Sequence, residues 1–381
     1  MTEHIVVVGA GTGGTVLANR LTDDLRRELD AGDVRVTLVN DGPEQTYKPA
    51  FLYVAFGEKT VADARRPVAD LVDTRRVDLV VDRVTGVDTG DKQVTLAEGG
   101  ALDYDHLVLA TGTAPVPDET PGLVEGGHHF YGPEGAEALR EALAGFTEGH
   151  LVLSVIGVPH MCPAAPLEFV LMADDWFRER GLREDIDITY TYPIQRAHGI
   201  ESIAEWATER FEERDIDVQT FVNPEEVDPE AGAIHTMEGK EIDYDLLVAI
   251  PPHAGDPLIA DSGLGEDGWV PVDNHTLEAE TAPDVYAIGD AADVPTSKAG
   301  SVAHYEAGVV ADRLAASVRG LTPTATYDGK TICFIEAGTD EATFVEFGYG
   351  DEPVVREPSR LLHWGKLAYN EAYWLTARGV L

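Results

Sequence analysis

Two cysteines, Cys162 in GVPHMCPAAPLE and Cys333 in TICFIEAG, are the only thiols in a chain of 381 residues. A thiol serves as a nucleophile, as a redox centre or as a small buried apolar group. For Cys162 the position favours chemistry. The segment follows an apolar strand pattern, HLVLSVIG (150–157), and leads into a run that can form an amphipathic helix, APLEFVLMADDWFRERG. In a dinucleotide-binding unit such a turn carries glycines, because a pyrophosphate must approach the backbone. Here Val158, Pro159, His160, Met161 and Cys162 follow Gly157, and the cysteine stands at the place of the last glycine. Side chains and a proline at these positions obstruct a pyrophosphate. A cysteine at a helix start is also expected to gain from the helix dipole, which lowers a thiol pKa from its usual value of about 8.5.

The elements that must position these thiols read as α/β. HIVVVGAGTGGTVLANRL gives a buried strand, then Gly9, Gly11 and Gly14 in GxGxxG spacing, then a helix. Gly9 permits the tight turn, Gly11 lets a pyrophosphate approach, and Gly14 lets the helix pack on the strand. VRVTLVND ends at Asn40 and Asp41, where the ribose-binding acid of such units belongs, so that role falls on one of them or is shared. LVLATG (107–112) is a further strand ending at Thr111 and Gly112. APDVYAIGDAADVP (282–295) is another, ending at Gly289 and Asp290 and expected to continue into a helix. ITYTYP, VQTFV and DLLVAIPP supply the strands of a second unit.

Composition narrows the partners. Asp and Glu number 69 against 28 Lys and Arg, a formal net charge of −41. A chain so acidic repels nucleic acid. The acid is spread along the whole length, which fits either a halophile's surface in screening salt or an acidic surface selected for solubility. The chain enters a strand within four residues, leaving no room for a signal peptide. No apolar run reaches the roughly 18–20 residues that span a bilayer. A cytoplasmic protein without a metal site is therefore expected.

A GxGxxG start, an ATG turn and a GD turn together resemble the two-dinucleotide-binding-domain flavoproteins. The resemblance implies FAD, with Asp290 on the ribityl chain. Nearly end to end, the chain further resembles the sulfide:quinone oxidoreductases, relatives of the flavocytochrome c sulfide dehydrogenase flavoprotein subunit and of type II NADH dehydrogenases. GVPHMCPAAPLE is similar to the family's Cys-x-x-Ala-Pro-x-Glu segment, and YDGKTICFIEAG to its second cysteine segment. TYKPAFLYVAFG (46–57), with Pro49, is similar to its stretch beside the flavin. DLLVAIPPHAG and GWVPVDNHTLE follow its pattern as well.

The resemblance implies that Cys162 and Cys333 hold a redox-active sulfur bridge and that Glu168 relays protons. Lys298 would stand near the flavin, and Ile332, Lys366 and Tyr369 at a quinone. Some members tether FAD through a third cysteine. None is present here, so non-covalent FAD is expected. His198 and His253 are further candidate proton carriers, although a lone histidine is more often a satisfied core or surface residue.

The expected architecture is two Rossmann-like domains with a C-terminal membrane-associating region. Residues 1–115 and 253–320 form the FAD domain, 116–252 an inserted, degenerate NAD-like domain, and 321–381 the quinone and membrane region. In SRLLHWGKLAYNEAYWLTARGVL, Leu362, Tyr369 and Tyr373 share one helix side, and Leu367 and Trp374 lie near another. Aromatic-rich amphipathic helices suit a membrane interface. The implied function is sulfide oxidation with electrons passed to membrane quinone, on the inner face of the cell membrane. The oligomeric state stays open. The alternatives are a type II NADH:quinone dehydrogenase, a sulfide dehydrogenase with a cytochrome acceptor, and a non-catalytic sulfur sensor.

Overall fold

The computed structural model describes residues 2–379. HIVVV is apolar throughout because a parallel strand is covered on both faces. It lies in Glu3–Val8, the centre of a five-stranded parallel sheet. Val34–Asn40 and Val77–Val81 flank it on one side, His106–Leu109 and Val285–Ala287 on the other. A second parallel sheet runs in the order Asp217–Thr220, Ile186–Tyr192, Gly149–Val155, Leu246–Ile250. The chain leaves the first sheet along Thr113–Pro115 and returns along His253–Gly255. These two segments pair antiparallel, Thr113 opposite Gly255.

Two local expectations fail. After Val285–Ala287 the chain makes a single 3-10 turn, Gly289–Ala291, and the helix begins only at Gly300. Pro295 lacks an N–H and disfavours helical geometry at Val294, and Ala292–Asp293 instead pairs with Val270–Pro271. The helix after Cys162 also starts late, at Ala165. Cys162 precedes it in the left-handed region (φ 48°), donating its amide to the Lys298 carbonyl at 2.7 Å.

Beyond the two sheets, the hairpin Thr331–Glu336/Ala342–Phe347 carries Cys333 opposite Val345. Its turn is bolted to the helix that follows Cys162, Ala165–Glu179. Asp174, fully buried, accepts from Arg178 (2.9 Å), Arg183 (2.6 Å) and Arg214 (2.8 Å). Arg214 also donates to the Ala337 carbonyl at 2.9 Å, and Asp175 accepts from the Thr339 amide at 3.0 Å. Burial raises the Asp174 pKa, but the three guanidinium hydrogen bonds outweigh it and hold the carboxyl low. Its stabilisation is thus full at neutral pH and fades as pH falls through the depressed native value. Asp174→Ala removes the buried acceptor shared by three guanidinium groups, of which Arg183 and Arg214 keep other acceptors, and is expected to cost about 3 kcal/mol, read as a lower denaturant midpoint.

Candidate functional site

A cleft opens at the carboxyl ends of the first sheet, where α/β folds bind their ligands. Gly9, at φ 99°, approaches Ala110 so closely that a Cβ would stand 2.4 Å from its carbonyl oxygen. A Cβ on Gly14 would stand 1.9 Å from the Gly9 carbonyl, so Gly14 sets helix–strand packing and does not line the cleft. Gly11 caps the helix Thr12–Asp24 and has open space around it. The helix's free N–H groups therefore face the cleft at the place suited to a phosphate.

Asn40 and Asp41 divide their work. The Asn40 side chain accepts from the Ala10 amide (2.7 Å) and donates to the Gly42 carbonyl (2.7 Å), bracing the glycine turn. Asp41 stays exposed at the cleft, 3.5 Å from Arg83. Pro49, Thr111, Gly112, Gly289 and Asp290 line the same space. The Thr111 hydroxyl is buried there without a partner among the described residues. Asp290 accepts from the Thr113 hydroxyl at 3.3 Å. The Lys298 ammonium donates to the carbonyls of Asp290 (3.3 Å) and Ala292 (2.5 Å), and burial lowers its pKa. A close-approach glycine turn, a helix N-terminus, an exposed acid at the strand end and an orphaned hydroxyl in one elongated cleft fit FAD.

Cys162 and Cys333 are free, half-buried thiols on that cleft, brought there by the turn before Ala165–Glu179 and by the hairpin. Contrary to the helix-dipole expectation, neither thiol is acidified. Burial pushes Cys333 up to about 12 and Cys162 higher, and the neighbouring Glu168 carboxylate adds to both shifts. Lys366 opposes them. The helix starts too late for its dipole to act on Cys162 directly, and lost hydration outweighs it.

The helix Arg360–Thr376 closes the cleft. Lys366, Asn370 and Tyr373 are its buried face, while Leu361, Trp364 and Leu375 are exposed. The side that carries Leu362, Tyr369 and Tyr373 is thus split, Tyr373 buried and Tyr369 37% exposed. Tyr373 stacks on Tyr47 at 4.1 Å and bonds Thr12 (2.9 Å) and Gln45 (2.7 Å), because a phenol so placed can bury its ring and still satisfy its hydroxyl. Ile332 and Tyr369 line the cleft beside Cys333, and the Ser301 hydroxyl holds the Ile332 carbonyl at 2.8 Å. Glu168 is buried against Lys366, and burial raises its pKa although Lys366 opposes this.

Sequence reasoning missed Lys48, whose ammonium donates to the Thr113 carbonyl at 2.9 Å inside the cleft. It also missed Glu336 and His363, which join Lys366 and Glu168. A lysine among aromatic and apolar residues in TYKPAF was the available signal for the first. The other two had none. His198 and His253 are buried and held neutral, lowered mainly by burial to about 4 and about 3. His198 faces a separate cavity of about 870 Å³, on the outer side of the Cys162 turn, that Val158, Pro159 and His160 also line.

The sequence pattern of the pyridine nucleotide-disulphide oxidoreductase family matches residues 3–161 and 171–310. The gap between them takes in the Cys162 turn and the first part of the helix that carries Glu168. The mitochondrial sulfide:quinone oxidoreductase of Mus musculus is 26% identical over 93% of this chain and 80% of its own length. The sulfide-quinone reductase of Aquifex aeolicus is 24% identical over 98% and 91%. The crystal structure of the sulfide:quinone oxidoreductase from Aquifex aeolicus shares the fold, with a TM-score of 0.87 at 22% identity, over 100% of this chain and 92% of that one. The chain therefore belongs to the pyridine nucleotide-disulphide oxidoreductase family, as a flavoprotein oxidoreductase similar over nearly its whole length to sulfide:quinone oxidoreductases.

Proposed function

We propose that the chain oxidises sulfide through Cys162 and Cys333, with non-covalent FAD and a membrane quinone as acceptor. The observation that carries this reading is the meeting of the two thiols on the cleft that fits FAD, delivered by two elements far apart in sequence. Both cysteines belong to the pair and the chain has no third, which supports a flavin held without a thioether.

Hydrosulfide attacks the sulfur bridge between the two cysteines: one S–S bond forms, one breaks, and a cysteine leaves as thiolate. A bound FAD would supply the electron-pair acceptor that lies between the thiolate and quinone. The persulfide sulfur then moves to a second nucleophile, such as another hydrosulfide, and the bridge re-forms. In balance, HS⁻ gives zero-valent sulfur, one proton and two electrons. Two electrons and two protons convert quinone to quinol. Lys366, the cation acting on both thiols, favours the thiolate against burial. Asp41 and the glycine turn would hold the cofactor's ribose and pyrophosphate, and Asp290 and Lys298 its flavin end. Ile332 and Tyr369 border the quinone's place.

Among the described residues no helix is long and apolar enough to cross a membrane. The exposed row Leu361, Trp364 and Leu375 supports a helix lying in the headgroup layer. The test is anaerobic absorbance of the holoprotein in molar salt. Sulfide alone is expected to bleach the flavin band, and a quinone analogue to restore it. Bleaching by NADH alone would overturn the reading and mark the second sheet as a working nicotinamide site.

A further inference from the structure

Behind the cleft lies a buried polar chain inside apolar packing. Lys366 and Glu168 line the cleft itself, with the ammonium on Glu168 Oε1. The same Nζ is 3.8 Å from Glu336 Oε1, and the Glu336 amide donates to Glu168 Oε1 at 2.8 Å. Glu336 is fully buried. Its Oε1 accepts from the Tyr53 hydroxyl at 2.6 Å, and its Oε2 is 3.0 Å from His363 Nδ1. The His363 side chain is 14% exposed and stands beside Trp364 on the outer helix. Five residues from four elements therefore line up from the cleft to the surface, hydrogen-bonded except at the 3.8 Å step between Lys366 and Glu336.

An ion pair built for stability needs one carboxylate per ammonium, and an apolar replacement would often serve the fold as well. Here two buried carboxylates share one lysine, and an imidazole with an exposed edge continues the line outward. From the other packed elements, Tyr53 and, through its hydroxyl, Asn370 face the group, with Glu58 near Glu336 and His363. The surplus carboxylate makes room for one more proton.

We propose that His363 and Glu336 form the proton inlet for quinol formation, feeding Lys366 and Glu168 at the cleft from the water side of the C-terminal helix. This rests on the quinone reading above. Each quinone takes two electrons, which come from sulfide, and two protons, which must reach a cleft lined by protein. Glu168 or Lys366 gives a proton to a quinone oxygen. Glu336 restores it, His363 Nδ1 restores Glu336, and the ring's Nε2 takes a proton from water. Each transfer breaks one bond to hydrogen and forms the next, so the charge left behind is made good from bulk solvent. The inlet opens beside Trp364, where an interfacial helix would meet water.

The experiment separates the half-reactions of the holoenzyme by anaerobic stopped flow. The flavin is reduced by sulfide in one series and by light in another, then reoxidised by a quinone analogue. In Glu336→Gln and His363→Ala, reoxidation is expected to slow on the order of 10²-fold, as for lost acid–base groups, with a much smaller effect on reduction by sulfide. Added imidazole is expected to restore His363→Ala, a response that a structural role would not give. At rest, ¹⁵N NMR of the oxidised holoprotein is expected to show the His363 ring bonded to a carboxylate in the wild type and released in Glu336→Gln. Equal slowing of both half-reactions, no slowing, or no rescue by imidazole would overturn the inlet. Photoreduction keeps it testable if sulfide fails to bleach the flavin, so the two readings stand or fall separately. His363→Ala, at a partly exposed site, serves if Glu336→Gln does not fold.

Discussion

Replacing either Cys162 or Cys333 by serine abolishes bleaching of the flavin by sulfide, while the flavin stays bound. The expected loss is roughly 10³-fold or more, the scale on which removing a covalent nucleophile acts. A serine hydroxyl fills nearly the same space but forms no sulfur bridge and carries no persulfide. Retention of FAD follows from the geometry. The glycine turn, Asn40, Thr111, Asp290 and Lys298 lie along the rest of the cleft, and none depends on a thiol for its hydrogen bonds. Absorbance with sulfide, and flavin content after gel filtration, read the two halves of the prediction. Full turnover in either variant would sink the bridge. Burial raises both thiols, so a cysteine released as thiolate is strongly basic and a strong electron donor beside the flavin.

The second large effect concerns the membrane. Leu361→Glu with Trp364→Glu is expected to release the protein from vesicles, at a cost of about 4 kcal/mol, on the order of 10³-fold in partitioning. These two side chains are 80% and 66% exposed, so little of the folded core depends on them. Flotation with vesicles reads the result, and undiminished binding would refute the anchor. The net charge of −41 adds a condition: anionic vesicles should bind the wild type only in concentrated salt, which screens the repulsion. Deleting 360–381 is a poorer test. The inner face of that helix closes the cleft through Lys366, Asn370 and Tyr373, and Asn19 holds its end at the Ala377 carbonyl. Truncation would therefore cost cofactor binding and quinone reduction together.

Much of this was legible in the chain as written. Apolar strands read as buried because parallel strands are covered on both faces, Gly9 read as a tight turn, and Gly14 read as a close helix–strand contact because only hydrogen fits there. Local spacing sufficed for both. Cys162 announced itself by standing where a glycine belongs. Through resemblance, Lys366, Tyr369 and Ile332 were singled out, and the fold collects all three on one cleft. Other features depended on distance in space. The pKa of a thiol is set by what surrounds it, so the dipole expected from sequence lost to burial. Which face of the last helix turns inward was decided by Tyr47, Gln45 and Thr12, over three hundred residues earlier. Glu336 and His363 carry no pattern of their own; folding alone sets them against Lys366 and Glu168, because hydrogen bonds among buried charges form between elements rather than along them.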